Sequence, residues 1–283
     1  MNMIWIIARM TFLEAVRRRI AMAGLVLGLI FLIAFTLGFR AIYIHSYASL
    51  KMTNDVYRNL ISNESINVLL LTGLYAVTFL SAAMGALLGA DTLSGDIISG
   101  TIQTIVSKPI NRSEVVLGKW LGYSILLALY SLLMSGGVVF SVWIQSGYLA
   151  QNLLPGLSLI YLESLLILTI AITCSSFLPG LAAGSVVFGL YGLAFIGGWV
   201  EQIGAVMQNE AAVQFGIMIS LFIPSEALWR RAAFEMQTPI SAVLHISPFG
   251  TLSIPSPLMV EYALLYLVLS LLKALNIFKK RDL

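Results

Sequence analysis

Charge is scarce in this 283-residue chain: Asp, Glu, Lys and Arg together make up 10% of it, against about a quarter of a soluble domain. Histidine is scarcer still, with only His45 and His245, far apart in sequence. Cysteine occurs once, as Cys174, so no intrachain disulfide can form. Each shortage excludes something. Two distant histidines and one thiol cannot supply a cluster with metal-ligand spacing. The low charge excludes a disordered tail and the basic surface of a nucleic-acid binder. No paired carboxylates, His–Glu–His set or Ser/His couple is placed for catalysis, so the chain is not expected to be an enzyme. What is abundant is apolar: 59% of the residues are hydrophobic and the mean hydropathy is +0.94. A water-soluble sphere of 30.8 kDa cannot hide that much apolar surface, so its solvent is largely lipid.

Six runs are long and apolar enough to cross a bilayer, at about 20 residues each: residues 20–39, 68–90, 115–143, 157–178, 180–200 and 258–278. The expected fold class is therefore all-α, a polytopic membrane protein forming a single domain over residues 1–283. The fourth and fifth runs are separated by Pro179-Gly180, a tight helical hairpin. Residues 211–223 are also apolar but short, which suits a re-entrant helix better than a seventh crossing. With six crossings, eleven of the sixteen Lys and Arg residues fall on the side of both termini and of the loop between the second and third runs. The positive-inside bias makes that side cytoplasmic.

Residues 1–19 differ from the crossings. Trp5, Ile6, Met10, Phe12, Leu13, Val16 and Ile20 share one broad face at helical spacing, with Thr11, Glu14, Arg18 and Arg19 opposite. This is the pattern of a helix lying along the membrane surface, although Arg9 falls inside the apolar face and Ile7 outside it. No small-residue cleavage site of a secretory signal follows.

The inner loop, residues 91–114, is unlike the rest of the chain. Charges alternate in sign, and Gly and Pro punctuate it. Ile97, Ile98, Thr101, Ile102, Ile105 and Val106 recur at helical spacing, which predicts a short amphipathic helix over 96–106, stopped before Pro109. Ser113 is placed to cap the next helix, with Glu114 favourable in its first turn. The order Asp96, Gly100-Thr101-Ile102, Pro109-Ile110, Arg112, Glu114, Gly118-Lys119 resembles the coupling-helix region of ABC-2 type transporter permeases, with Asp96 where glutamate is usual. Among these the chain is most similar to the small permeases of multicopper-enzyme maturation and sodium efflux.

The resemblance implies a permease subunit of an ABC transporter, an exporter in the cytoplasmic membrane of a prokaryote. Its implied partners are two copies of a separate ATPase, which would hold the ATP and magnesium, and a second permease chain, identical or closely related. The residues implied to couple to the ATPase are Asp96, Ile98, Gly100, Thr101, Ile102, Ile105, Pro109, Arg112 and Glu114. The chain itself carries no phosphate loop, because Gly118-Lys119 is followed by Trp120 and lacks the spaced glycine before it; no cofactor is expected in it. An ATP-independent carrier or channel is the alternative, but paired broken helices with polar midplane groups are not evident.

Outside the loop, Glu163 stands about six residues inside the outer end of the fourth run, where an ionisable group is a functional candidate. Glu261 and Lys273, near the ends of the last run, are placed to reach the two interfaces. Gly24/Gly28, Gly85/Gly89 and Gly180/Gly184 put small residues on one helix face each. The segment 201–257 is expected outside, with a helix capped by Ser225 and carrying Glu226 in its first turn.

Overall fold

The computed structural model describes residues 3–49, 55–98, 111–238, 240 and 253–280. Among them there are ten α-helices and no strand. The first helix, α1 (Met3–Arg17), leads into α2 (Arg19–Ser49). The chain returns through α3 (Asp55–Ala90), which passes by a turn into the short α4 (Ser94–Ile98). Then come α5 (Arg112–Ser146), α6 (Leu153–Ser175), α7 (Gly180–Val206), the pair α8 (Glu210–Phe222) and α9 (Ser225–Met236), and α10 (Leu258–Lys280). Six of these, α2, α3, α5, α6, α7 and α10, are long and apolar enough to cross a membrane. The protein is a multi-pass membrane protein.

Local sequence explains the breaks. Gly147 takes φ 70 to end α5, a conformation glycine reaches without a Cβ penalty. Pro155 sits in the first turn of α6, where its missing N–H costs no intrahelical bond. Pro179 occupies the N-cap position of α7, so α6 and α7 form the expected hairpin. Where no breaker follows an apolar run, the helix outlasts it. α2 continues from Phe39 to Ser49, and α3 begins at Asp55 rather than at Val68. At 1.5 Å per residue α2 is about 46 Å long, against a hydrocarbon core of about 30 Å. α7 likewise runs on to Val206 and so takes in Glu201.

α6 is the central pillar. It packs against α3, α5, α7, α9 and α10, and Ile160, Leu166, Leu168, Ala171 and Ile172 are wholly enclosed. α2 lies at the periphery, with Leu25, Val26, Leu29, Ile33 and Leu37 exposed to what must be lipid. Lipid tails are as apolar as leucine, so the bundle is held by close packing and interhelical hydrogen bonds. The face of Gly24 and Gly28 is used within the chain, against Met84, Met134 and Tyr130.

α8 and α9 meet at a bend of 106°, made at Ile223 and Pro224. The 13 residues of α8 reach only about 20 Å, too short to span alone. Its N-cap is conventional, with the Asn209 side chain accepting the Ala212 N–H at 3.2 Å. The α9 cap differs from expectation: Pro224 holds the N-cap position, Ser225 is already helical, and no side chain caps the helix. The Pro224 carbonyl accepts the Leu228 N–H at 3.2 Å, the first bond of the helix.

Candidate functional site

The base of the bundle, where α1 and the end of α10 lie, gathers the start and the end of the conspicuous loop. The turn at residues 91–93 lets α4 fold back against the bundle, and Ser175 of α6 anchors it: its Oγ accepts the N–H groups of Leu93 and Ser94, each at 3.1 Å. This brings Asp96 inward. Its carboxylate is ion-paired with Lys119 of α5, both side chains being nearly enclosed. Lys119 Nζ also donates to the Thr92 carbonyl at 2.9 Å. A buried pair with an added hydrogen bond holds a defined geometry, because parting it strands a charge. Asp96 therefore faces inward and braces the root of the loop against α5.

The N-terminal helix joins the same base. Ala8, Thr11 and Ala15 are its buried residues, a seam of small side chains that the amphipathic reading missed. Ala8 and Thr11 face α5 at Gly122, and Ile4 and Ile7 face it at Gly118. A Cβ on Gly122 would lie 2.6 Å from the Ala8 carbonyl oxygen, and one on Gly118 would lie 2.6 Å from Ile7 Cβ. Only glycine permits that approach. Ile7, out of place on the polar side of the predicted face, thus packs against α5, while Trp5, Met10, Leu13 and Val16 stay exposed. Arg18 bonds Glu14 at 2.7 Å and lies 3.7 Å from Asp91. Burial alone would lower the pKa of its guanidinium, but Tyr123 and these two carboxylates outweigh it and hold the pKa above the ordinary value.

The remaining predicted loop residues divide clearly. Glu114 turns back on its own helix: Glu114 Oε2 accepts the Asn111 N–H at 3.0 Å, so Asn111 and Glu114, not Ser113, form the cap. Arg112 opens α5 and reaches the Lys279 carbonyl at 3.4 Å, bringing the end of α10 to the base. Ile98 closes α4. Gly100, Thr101, Ile102, Ile105 and Pro109 lie outside the described residues.

At the opposite end a second polar region lies under α8 and α9. Glu163, near the middle of α6, is 1% exposed; Tyr191 of α7 donates to its Oε1 at 3.5 Å, the outer limit of a hydrogen bond, and Oε2 has no partner. Tyr75 of α3 donates to Glu226 Oε1 at 3.1 Å and accepts Trp199 Nε1–H at 3.2 Å. Beside them Arg230 is ion-paired with Glu201 at 2.7 Å, both buried. Arg230 also donates to Ser220 Oγ at 3.2 Å, and Ser253 donates to Glu201 Oε1 at 2.6 Å. This network ties α7, α8, α9 and the approach to α10 together. Sequence reasoning found Glu163 and Glu226 but not Tyr75, Tyr191, Glu201 or Arg230, which come from distant segments. No group of three or more potential metal ligands occurs among the described residues.

The family described as ABC-2 family transporter protein matches the chain over residues 5–283. The chain belongs to the ABC-2 transporter family. Over 65 residues it is also 32% identical to a probable ABC transporter permease protein, NosY, of Pseudomonas aeruginosa. That match takes in 23% of this chain and 24% of the relative, so the chain is aligned with about a quarter of that protein's length. The permease is thus a membrane transport component of a family that is not itself catalytic, and the family normally works with an ATPase subunit.

Proposed function

We propose that this permease is the membrane half of an exporter, driven through its base by a separate ATPase. The base faces the cytoplasm in this reading, on the strength of the basic residues gathered there. Two ATPase chains seat below two permease chains, and residues 96–106 dock on the ATPase. The observation that carries the reading is the Asp96–Lys119 pair. A free connector has no need of a buried ion pair at its root. A lever does, because motion imposed on the loop then passes into α5 rather than being absorbed by a flexible hinge. Through Gly118 and Gly122, α5 in turn carries α1 with it.

Ile102 lies on the apolar stripe of the loop and gives the test. Ile102→Asp sets a charge in the proposed contact. The expected result is a permease that inserts and folds normally but loses stimulation of ATP hydrolysis in the purified complex. Wild-type co-purification and wild-type ATPase stimulation in that variant would show the loop to be a connector only.

A further inference from the structure

Resting on the transport reading above, we infer that the cleft between α2, α3 and α7 recognises a lipophilic organic cation as the permease's cargo. The cleft has a volume of about 600 Å³, and its walls are apolar. Five of its lining residues are aromatic: Phe31, Tyr75, Phe79, Tyr191 and Phe195. Among the described residues no Lys or Arg lines it.

An apolar cleft by itself takes any greasy molecule. Here the second layer selects among them. Tyr191 and Tyr75 each present a ring to the cleft and a hydroxyl to a carboxyl behind it, Glu163 and Glu226 respectively. Both carboxyls are buried, and Oε2 of Glu163 is unpartnered. The buried cation of this region, Arg230, is already committed to Glu201. Buried acidic groups therefore outnumber buried basic ones around the cleft. A phenol that donates to a carboxyl is a more electron-rich ring, and ring faces attract cations within about 6 Å of the centroid. Tyr75 is held in place for this, stacked at 4.9 Å on Trp229 and at 6.2 Å on Phe195. Gly198 makes room for the second carboxyl, since a Cβ there would lie 2.2 Å from Glu226 Cγ. Such a site favours an organic cation over an anion of the same shape, because a bound cation stabilises the ionised form of either carboxyl, while no basic group among the described residues lines the cleft to pair with an anion.

Tetraphenylphosphonium and tetraphenylborate match in shape and differ in sign, so they make the test. Saturable binding of each to the purified full-length permease in dodecyl maltoside micelles is measured by equilibrium dialysis. The phosphonium is expected to bind at about one per chain and at least roughly tenfold more tightly than the borate. The double variant Glu163→Gln, Glu226→Gln should lose at least about tenfold of that affinity. Ala76→Trp, which fills the cleft and leaves both carboxyls in place, should abolish the saturable component even if the double variant fails to fold. Equal affinity for the two ions, or phosphonium binding indifferent to Ala76→Trp, overturns the assignment. The measurement uses no ATPase, so its failure removes the cation specificity alone, whereas failure of the Ile102→Asp experiment removes the coupling and leaves this binding result standing.

Discussion

Neutralising the Asp96–Lys119 pair, first one member and then both, separates bracing from coupling. Lys119→Met keeps the length and packing of the side chain but leaves the Asp96 carboxylate buried without its cation. Asp96 is 8% exposed and Lys119 6%, so water screens neither. Parting a buried pair in this way costs about 3–5 kcal/mol. At roughly 2–4 °C per kcal/mol for a large domain, the thermal midpoint of the detergent-solubilised permease should fall by about 10 °C. Asp96→Asn should lose less, because Lys119 keeps its bond to the Thr92 carbonyl. The informative variant is Asp96→Asn combined with Lys119→Met. Replacing both charges of a buried pair with neutral groups is often close to neutral for stability, so this protein should melt near the wild type. Its ATPase stimulation in the complex should nevertheless be reduced, because the loop is no longer pinned to α5. The assay is differential scanning fluorimetry alongside ATP hydrolysis by the reconstituted complex. If the double variant both melts and stimulates like the wild type, the pair transmits nothing and the mechanism proposed for the base is wrong.

Three further outcomes are expected. Gly122→Leu should lift α1 from α5, since even a Cβ meets the Ala8 carbonyl oxygen at 2.6 Å; limited proteolysis should then cut between α1 and α2 faster than in the wild type, and unchanged cleavage would refute the seam. Arg230→Ala strands Glu201 and should cost about 3–5 kcal/mol, read as a lower melting temperature, with Glu201→Gln in the same background restoring much of it. A cysteine placed at residue 283 in a Cys174-free protein should react with membrane-impermeant maleimide only after the membrane is opened; labelling from outside intact cells would reverse the proposed orientation.

The crossings were legible because hydropathy reports where lipid begins and ends. It does not report where a helix ends. Residues 40–49 and 55–67 are polar enough to leave the membrane yet contain no Gly or Pro to stop the helix, so α2 and α3 run past their apolar cores. The hairpin at Pro179 was readable from two adjacent breakers. The seam on α1 was readable in principle, since Ala8, Thr11 and Ala15 recur at helical spacing, but the larger apolar face drew the reading toward lipid. The ion pairs were not legible. Asp96 meets Lys119, and Glu201 meets Arg230, across separate helices. No local pattern in one sequence says which of several charges will face inward. The motif singled out Asp96 and Lys119 but gave no sign that the two charges meet.

α6 also constrains how the permease is made. It is the most enclosed crossing, yet it brings Glu163, Ser164, Thr169 and Thr173 to its buried faces. An ionisable residue near the centre of a single helix opposes insertion by about 2.5–3.5 kcal/mol, while each leucine or isoleucine favours it by about 0.3–0.6. The many leucines and isoleucines of α6 can offset one glutamate. During synthesis α3 and α5 precede α6 and offer it two packing faces. Tyr191, whose hydroxyl meets Glu163, arrives only with α7. The short turn at residues 176–179 delivers that partner next in line, so α6 and α7 are expected to leave the insertion machinery as one hairpin, and lengthening that turn should impair biogenesis before it impairs transport.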